Sequence, residues 1–282
     1  MIVKNNPKAA VAAFIPIYTA TQQKMCNDNC NFSFYSPRMV SWKFAGVDLK
    51  VDENVIPKLC EQSGKSFSKI SVFLDKKQRI QKAYLKSLGE KGIKTFSFEV
   101  TTNSPFITGL GSGHPTEVGM ILDRNLGVPY IPASSIKGVM RLAYALNIAA
   151  GRDIVPDSEL EKYFGTTDEQ KKQGTEEKRG QLIFLDAYPI EAVNLKVDII
   201  NPHYGKYYAG ANDKQPLETE SPIPVKFLTV AKGTKFVFNC AFIPLNNAVC
   251  DPDEIKTMFK TAFEKVGFGG KTAIGYGQFK LK

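Results

Sequence analysis

The stretch PYIPASSIKGVMRLAY, residues 129–144, decides the fold reading. Pro132 biases Ile131 away from helical angles, so a helix begins abruptly behind it. Ser134 or Ser135 stands where a side-chain oxygen caps the first free backbone N–H groups. From there Ile136, Val139, Met140, Ala143 and Tyr144 recur at three- and four-residue steps, giving one apolar face. Lys137 and Arg141, four apart, lie on another face near the helix start. Serine hydroxyls, free N–H groups and two cations at a helix N-terminus suit a phosphate. A solvated charged edge is the plainer reading of the same residues.

Upstream of this helix, FSFEVTTNSPFI (residues 96–107) opens with Phe96, Phe98 and Val100 alternating against Ser97, Glu99 and Thr101, which predicts a half-buried strand. It runs into a glycine-rich loop, residues 108–119, that holds His114. The loop lacks the Gly-Lys-Ser/Thr ending of a nucleotide P-loop, and no helix opens directly behind it as a dinucleotide fingerprint requires. Residues 118–122 read as a further strand and DRNLG, residues 123–127, as a turn.

Downstream, TTDEQKKQGTEEKRG (residues 166–180) reads as a mobile surface loop. Strands are predicted over 181–189, 197–204, 225–230 and 235–243, with a proline-rich loop over 209–224. Residues 252–266 form an amphipathic helix with Ile255, Met258, Phe259, Ala262, Phe263 and Val266 inward, and 278–281 a last strand. From residue 95 the order, long insertions discounted, is βαββαβ. That is an α+β domain of ferredoxin-like or RNA-recognition-motif-like type.

Residues 1–94 precede this domain as a basic N-terminal extension, partly helical and packed on the core. KKQRIQKAYLKSLG, residues 76–89, has Ile80, Ala83, Tyr84, Leu85 and Leu88 at helical spacing with a Lys/Arg-rich outer face. The net charge is +9, and residues 1–94 account for all of it with 16 Lys/Arg against 7 Asp/Glu. A basic segment on a neutral body points to a polyanion or an acidic neighbouring subunit. With 43% hydrophobic and 23% charged residues the chain buries a real core, which excludes a disordered protein. No apolar run reaches the ~20 residues that span a bilayer, and no signal-peptide order is present, so a cytoplasmic location is expected.

Five cysteines without a secretion signal argue for reduced thiols. Cys26 and Cys30 have a spacing that holds two zinc ligands, but a second pair is lacking, so no metal and no cofactor is expected. GFGGKTAIGYG, residues 267–277, carries five glycines plus Lys271 and Thr272 before the last strand. One turn needs one or two glycines, so a backbone-lined surface admitting a phosphate chain is weighed against a multiple-turn connection. His114 and His203, the two histidines, are candidates for a general acid or base in RNA cleavage, without an identifiable partner. Asp123 is explained by turn chemistry, and Asp186 is a possible acid in a strand. Tyr204, Tyr207 and Tyr208 around Lys206 offer stacking surfaces for bases, or an aromatic patch against the preceding strand.

The Pro-x-Ser-Ser-x-Lys-Gly-x-x-Arg pattern from Pro132 to Arg141, together with the glycine-rich residues 267–277, resembles the RAMP proteins of CRISPR systems. GSGHPTEVG (111–119), NPHYGKYY (201–208) and SPIPVKFLTV (221–230) narrow the resemblance to the family of sixth subunits of the type III-B Cmr effector complex. It covers about residues 95–282, with five motifs in the family's order. The resemblance implies a non-catalytic RAMP subunit that holds the 3′ region of the guide RNA and, through it, meets target RNA. It also implies packing against the other RAMP subunits of the Cmr complex. Carried onto this chain, the RNA contacts are Ser134, Ser135, Lys137 and Arg141 at the central helix, and Gly269, Gly270 and Lys271 in the glycine-rich loop. No counterpart of the target-cleaving subunit's loop aspartate is found, so no catalytic residue is assigned. The rival readings are a metal-independent guide-processing RAMP endoribonuclease using His114 or His203, and a protein-only assembly subunit whose basic leader docks on an acidic neighbour.

Overall fold

The computed structural model describes residues 31–33, 42–45, 48–52, 54–111, 114, 116, 118–149, 157–201, 222, 224–245 and 248–282. Strands β1 (Trp42–Ala45) and β2 (Asp48–Val51) pair as a short antiparallel hairpin. Helices α1 (Val55–Ser68) and α2 (Ser71–Glu90) follow, then β3 (Lys94–Thr102) and α3 (Ala133–Ala149). Next come α4 (Asp157–Phe164), α5 (Asp168–Lys172), β4 (Leu182–Phe184), β5 (Tyr188–Pro189), β6 (Leu195–Ile200) and β7 (Val225–Val230). The chain closes with β8 (Lys235–Phe242), α6 (Pro252–Thr261) and β9 (Phe279–Leu281).

The main sheet is antiparallel, in the order β4-β8-β3-β9, and β6 and β7 form a separate ribbon. As the alternation predicts, Phe98 and Val100 turn to the helices: the Phe98 ring stacks on Phe259 of α6 with centroids 4.3 Å apart. Phe238 meets Phe263 edge-on at 4.9 Å, and Phe263 also contacts Phe268 and Phe279. Each such pair adds roughly 0.5–1.5 kcal/mol beyond simple area burial. Pro252 and the Asp251 carboxylate, which accepts the Asp253 N–H at 2.9 Å, start α6. Its end widens into a π-helical turn, Ala262–Val266, closed by Gly267 N–H to Ala262 C=O at 2.9 Å. Glu254 of α6 accepts hydrogen bonds from Tyr144 of α3, at 2.8 Å, and from Tyr163 of α4, joining three helices through one carboxylate.

Helix α2 lies on the other side of the sheet. Seven of the eight β8 residues are buried, because successive side chains point to opposite faces and both faces are covered. Asn239 Nδ2 donates to Gln81 Oε1 at 3.0 Å, Gln81 Nε2 donates to the Asp186 carbonyl at 2.9 Å, and Gln78 Nε2 donates to the Pro189 carbonyl at 2.6 Å. The inward face of α2 is therefore Leu74, Gln81 and Leu85. The expected inward residues Ile80, Ala83 and Tyr84 are exposed instead, since amide partners on the sheet rotate the helix away from its most apolar stripe.

Two other expectations change. Residues 118–122 make no strand; only Leu122 bridges to Pro129 across the turn. The segment 166–180 is ordered: Thr167 and Gln170 form a reciprocal capping box that starts α5, and Gly165 bridges to Arg179. Gly165 and Gly180 are required there, because a Cβ on either would stand 2.5 Å from the facing backbone.

Candidate nucleic-acid interface

The single predicted strand over 181–189 is interrupted. Phe184 faces Cys240 and Tyr188 faces Val237, so one extra residue bulges out between β4 and β5. The bulge aims Asp186 at the start of α3, where its Oδ1 accepts the Ala133 N–H at 2.8 Å. Asp186 therefore caps the central helix, and its negative charge faces the positive end of the helix dipole. Ser134 and Ser135 lie inside the first turn of α3 instead of at its cap position, and both are exposed.

Lys137 is exposed one turn further on, with no ion-pair partner among the described residues. Arg141 is half-buried, and its Nη1 donates to the Gly165 carbonyl at 3.2 Å, so part of its hydrogen-bonding fork is engaged at the end of α4. Tyr188, next to the bulge, donates its hydroxyl to Asp123 Oδ2 at 2.7 Å, and the Asn125 and Leu126 N–H groups donate to Asp123 Oδ1. Burial raises the Asp123 pKa, but the Tyr188 hydrogen bond, the two N–H groups and Lys77 outweigh it and hold the carboxyl below its ordinary value. Turn chemistry thus accounts for Asp123, as expected.

The glycine-rich segment interlocks with residues 105–110. Gly270 N–H donates to the Ile107 carbonyl and Gly277 N–H to the Pro105 carbonyl, both at 2.8 Å. A Cβ on Gly269 would stand 2.0 Å from the Ile107 oxygen, and one on Gly277 would stand 1.9 Å from the Phe268 oxygen. Close backbone packing therefore explains these two glycines without a ligand. Lys271 is the only non-glycine residue with positive φ among those described, at φ 61°. Its ammonium lies 4.9 Å from the ring centroids of both Phe227 and Tyr276. The Tyr276 hydroxyl donates to Asp198 Oδ2 at 2.5 Å; burial, then this bond, pushes its pKa up to about 12.

Thr102 at the end of β3 pairs with Phe279 just after the glycine-rich segment, whereas Ile131, leading into α3, bridges to Ala187 beside β5, at the other edge of the sheet. The π-helical turn packs against α3. No hydrogen bond between described residues joins Ser134, Ser135, Lys137 or Arg141 to Gly269, Gly270 or Lys271. His114 is tied into its own turn: its Nδ1 accepts the Thr116 N–H at 3.2 Å and lies 2.7 Å from Thr116 Oγ1. Around it is a cleft lined by Phe32, Ile56, Leu59 and Leu228. His203, the tyrosines at 204, 207 and 208, Lys206, Cys26, Cys30 and most of the loop 209–224 lie outside the described residues. No described helix is long and apolar enough to cross a membrane.

An α+β sheet with this pair of features defines the class: residues 99–280 match the RAMP superfamily, and the chain belongs to it. Its relatives narrow the comparison. The chain is 34% identical over 230 residues to the CRISPR system Cmr subunit Cmr6 of Pyrococcus furiosus, covering 63% of this chain and 65% of that one. It is 28% identical over 191 residues to Cmr6 of Saccharolobus solfataricus, covering 65% and 57%. The chain thus spans less than two thirds of the length of these curated relatives. Among solved structures it resembles a chain of the type III-B Cmr-beta complex bound to cognate target RNA, with a TM-score of 0.53 and 25% identity, over 73% of this chain and 65% of that chain.

Proposed function

We propose that the chain is a non-catalytic RNA-binding subunit of a type III-B CRISPR Cmr complex, holding the 3′ region of the guide RNA and capping the filament of backbone RAMP subunits. On this reading the β9-β3-β8-β4 order, with α3 and α6 on one face, is ferredoxin-like. Residues 95–282 form the RAMP domain, and residues 1–94 are the basic extension packed on it.

The observation that carries the proposal is that the α3 start and the glycine-rich segment both fall inside the RAMP-matching span. There Ser134, Ser135 and Lys137 present hydroxyls and a cation, Gly269 and Gly270 present backbone close to solvent, and Arg141 and Lys271 are cations held by neighbours. Fixed donors and charges of this kind grip a sugar-phosphate chain without reading bases, which suits a guide whose sequence must remain free to pair. The second face of β8 is covered by α2 and its outward residues Val237, Asn239 and Ala241 include no aromatic ring, so bases have no stacking platform on that strand. The His114 environment supplies local turn bonds and an apolar cleft, which favours the scaffold over the endoribonuclease.

The test is binding of the purified chain, alone and in its complex, to labelled single-stranded RNA across a salt series, with products resolved on a denaturing gel. Intact RNA is expected, and Lys137→Glu should weaken binding and reduce the magnitude of the salt slope by about one unit, because a phosphate contact is lost. Unchanged affinity overturns the site assignment. Cleavage abolished by replacing both histidines overturns the non-catalytic reading.

A further inference from the structure

The β6-β7 ribbon is separate from the main sheet, and four side chains fasten it to the glycine-rich segment. Asp198 of β6 and Phe227 of β7 stand opposite each other in the ribbon, so their side chains leave it on the same face. Lys271 and Tyr276 meet them from the glycine-rich side. The Lys271 ammonium lies 4.9 Å from the centroids of both the Phe227 and the Tyr276 rings, and the Tyr276 hydroxyl donates to Asp198 Oδ2 at 2.5 Å. Phe227 is buried while Lys271 and Tyr276 are partly exposed, so the cluster opens to solvent on their side.

Two features of this cluster go beyond packing. Lys271 holds a left-handed backbone position, φ 61°, in a segment where Gly267, Gly269, Gly275 and Gly277 take the other positive-φ positions. Such angles strain a residue that carries a Cβ, so the turn itself favours glycine and the lysine side chain is present against that preference. The second feature is what the ammonium rests on. Both oxygens of Asp198 are engaged, Oδ2 by Tyr276 and Oδ1 by the Ile199 N–H at 2.8 Å, and Lys271 has no ion-pair partner among the described residues. Ring faces fix the place of a cation without cancelling its charge, as a carboxylate would. The charge of Lys271 is thus held in position and left for an anion from outside.

We infer that Tyr276 and Asp198 are positioning residues, which hold Lys271 on its two-ring seat as a preorganised grip for one phosphate of the bound RNA. The identity of the anion rests on the RNA reading above. Asp198 fixes the Tyr276 ring through its hydroxyl, and that ring together with Phe227 fixes the ammonium. A free lysine loses the freedom of its long stem when it binds; here the fold has already ordered it, and that preorganisation strengthens the contact.

The test is a double-mutant cycle on binding of labelled single-stranded RNA by the 282-residue chain, alone and in its complex, with Lys137→Glu as an independent report on the RNA site. Lys271→Gln should weaken binding by about threefold or more and reduce the magnitude of the salt slope by about one unit. Tyr276→Leu keeps the lysine but removes one ring and the Asp198 hydrogen bond. It should weaken binding by about threefold on its own and hardly at all in the Lys271→Gln background. Tyr276→Phe keeps the ring and loses only the hydrogen bond; it should give a smaller loss with the same dependence on Lys271, and it carries the test if Tyr276→Leu does not fold. Equal losses from the Tyr276 variants in both backgrounds make the tyrosine merely structural and overturn the inference, with the RNA reading intact. Unchanged affinity of Lys271→Gln overturns it as well, and if Lys137→Glu is then also without effect, the RNA reading falls with it.

Discussion

Asp186→Ala is the most informative single substitution in the candidate site. It removes the acceptor of the Ala133 N–H, a 2.8 Å bond, and the carboxylate at the N-terminus of α3. The Asp186 carbonyl, which accepts from Gln81, is untouched, so the change isolates the cap. Loss of an N-cap costs about 0.5–2 kcal/mol, and the interaction with the helix dipole about 0.3–1 kcal/mol. Because the two overlap in one group, a loss of about 1–2 kcal/mol is expected. For a chain of this size that corresponds to a melting temperature lower by about 2–8 °C. Asp186→Asn keeps the oxygen acceptor and should lose only about 0.5 kcal/mol, since Asn caps nearly as well as Asp. Urea unfolding followed by circular dichroism measures both. RNA affinity should fall with Asp186→Ala, because fraying of the first turn displaces Ser134, Ser135 and Lys137. A stability change below about 0.3 kcal/mol for Asp186→Ala would refute the capping argument. Equal losses for the two variants would assign the effect to charge instead of the hydrogen bond.

The remaining predictions concern the supports of that site. Gly269→Ala forces a Cβ to 2.0 Å from the Ile107 oxygen at φ 83°, whereas Gly275→Ala, at φ 92°, meets nothing within 4 Å. The second should cost about 1–2 kcal/mol of backbone strain and the first clearly more, compared by denaturant midpoint. Gln81→Ala strands the Asn239 amide and the Asp186 carbonyl, and should destabilise by about 1–3 kcal/mol in the same assay. Asp123 titrates below its ordinary value when folded, so its ionised form adds stability above the unfolded pKa, and this is lost as pH falls through the folded value. The stability gap between wild type and Asp123→Asn should therefore narrow on acidification from pH ~6 to ~3, measured by urea unfolding at each pH.

The faces of α3 and α6 were legible because they follow local periodicity. Met140, Ala143 and Tyr144, and Ile255, Met258, Phe259 and Phe263, are buried as their spacing predicts. The orientation of α2 was misread for the opposite reason. Its most apolar stripe is exposed, while a glutamine sits at its buried face because the sheet offers Asn239 and the Asp186 carbonyl as partners. Periodicity reports which residues share a face but not which face finds a partner. The order within 166–180 was hidden likewise, since polar residues in a capping box resemble those of a loop.

What the amino-acid sequence determined by itself is the strand at 94–102, the abrupt start of the central helix, the amphipathic helix from residue 252, the glycine-rich turn before the last strand and the basic first third. Each depends on residues within a few positions of one another. Only the tertiary structure decided that Asp186 caps α3 across 53 residues, that Gly269 is glycine because Ile107 lies against it, and that Lys271 rests between Phe227 and Tyr276. These are pairings between distant segments. Their geometry is set by the bulge, the π-helical turn and the sheet register, and no local pattern carries that information.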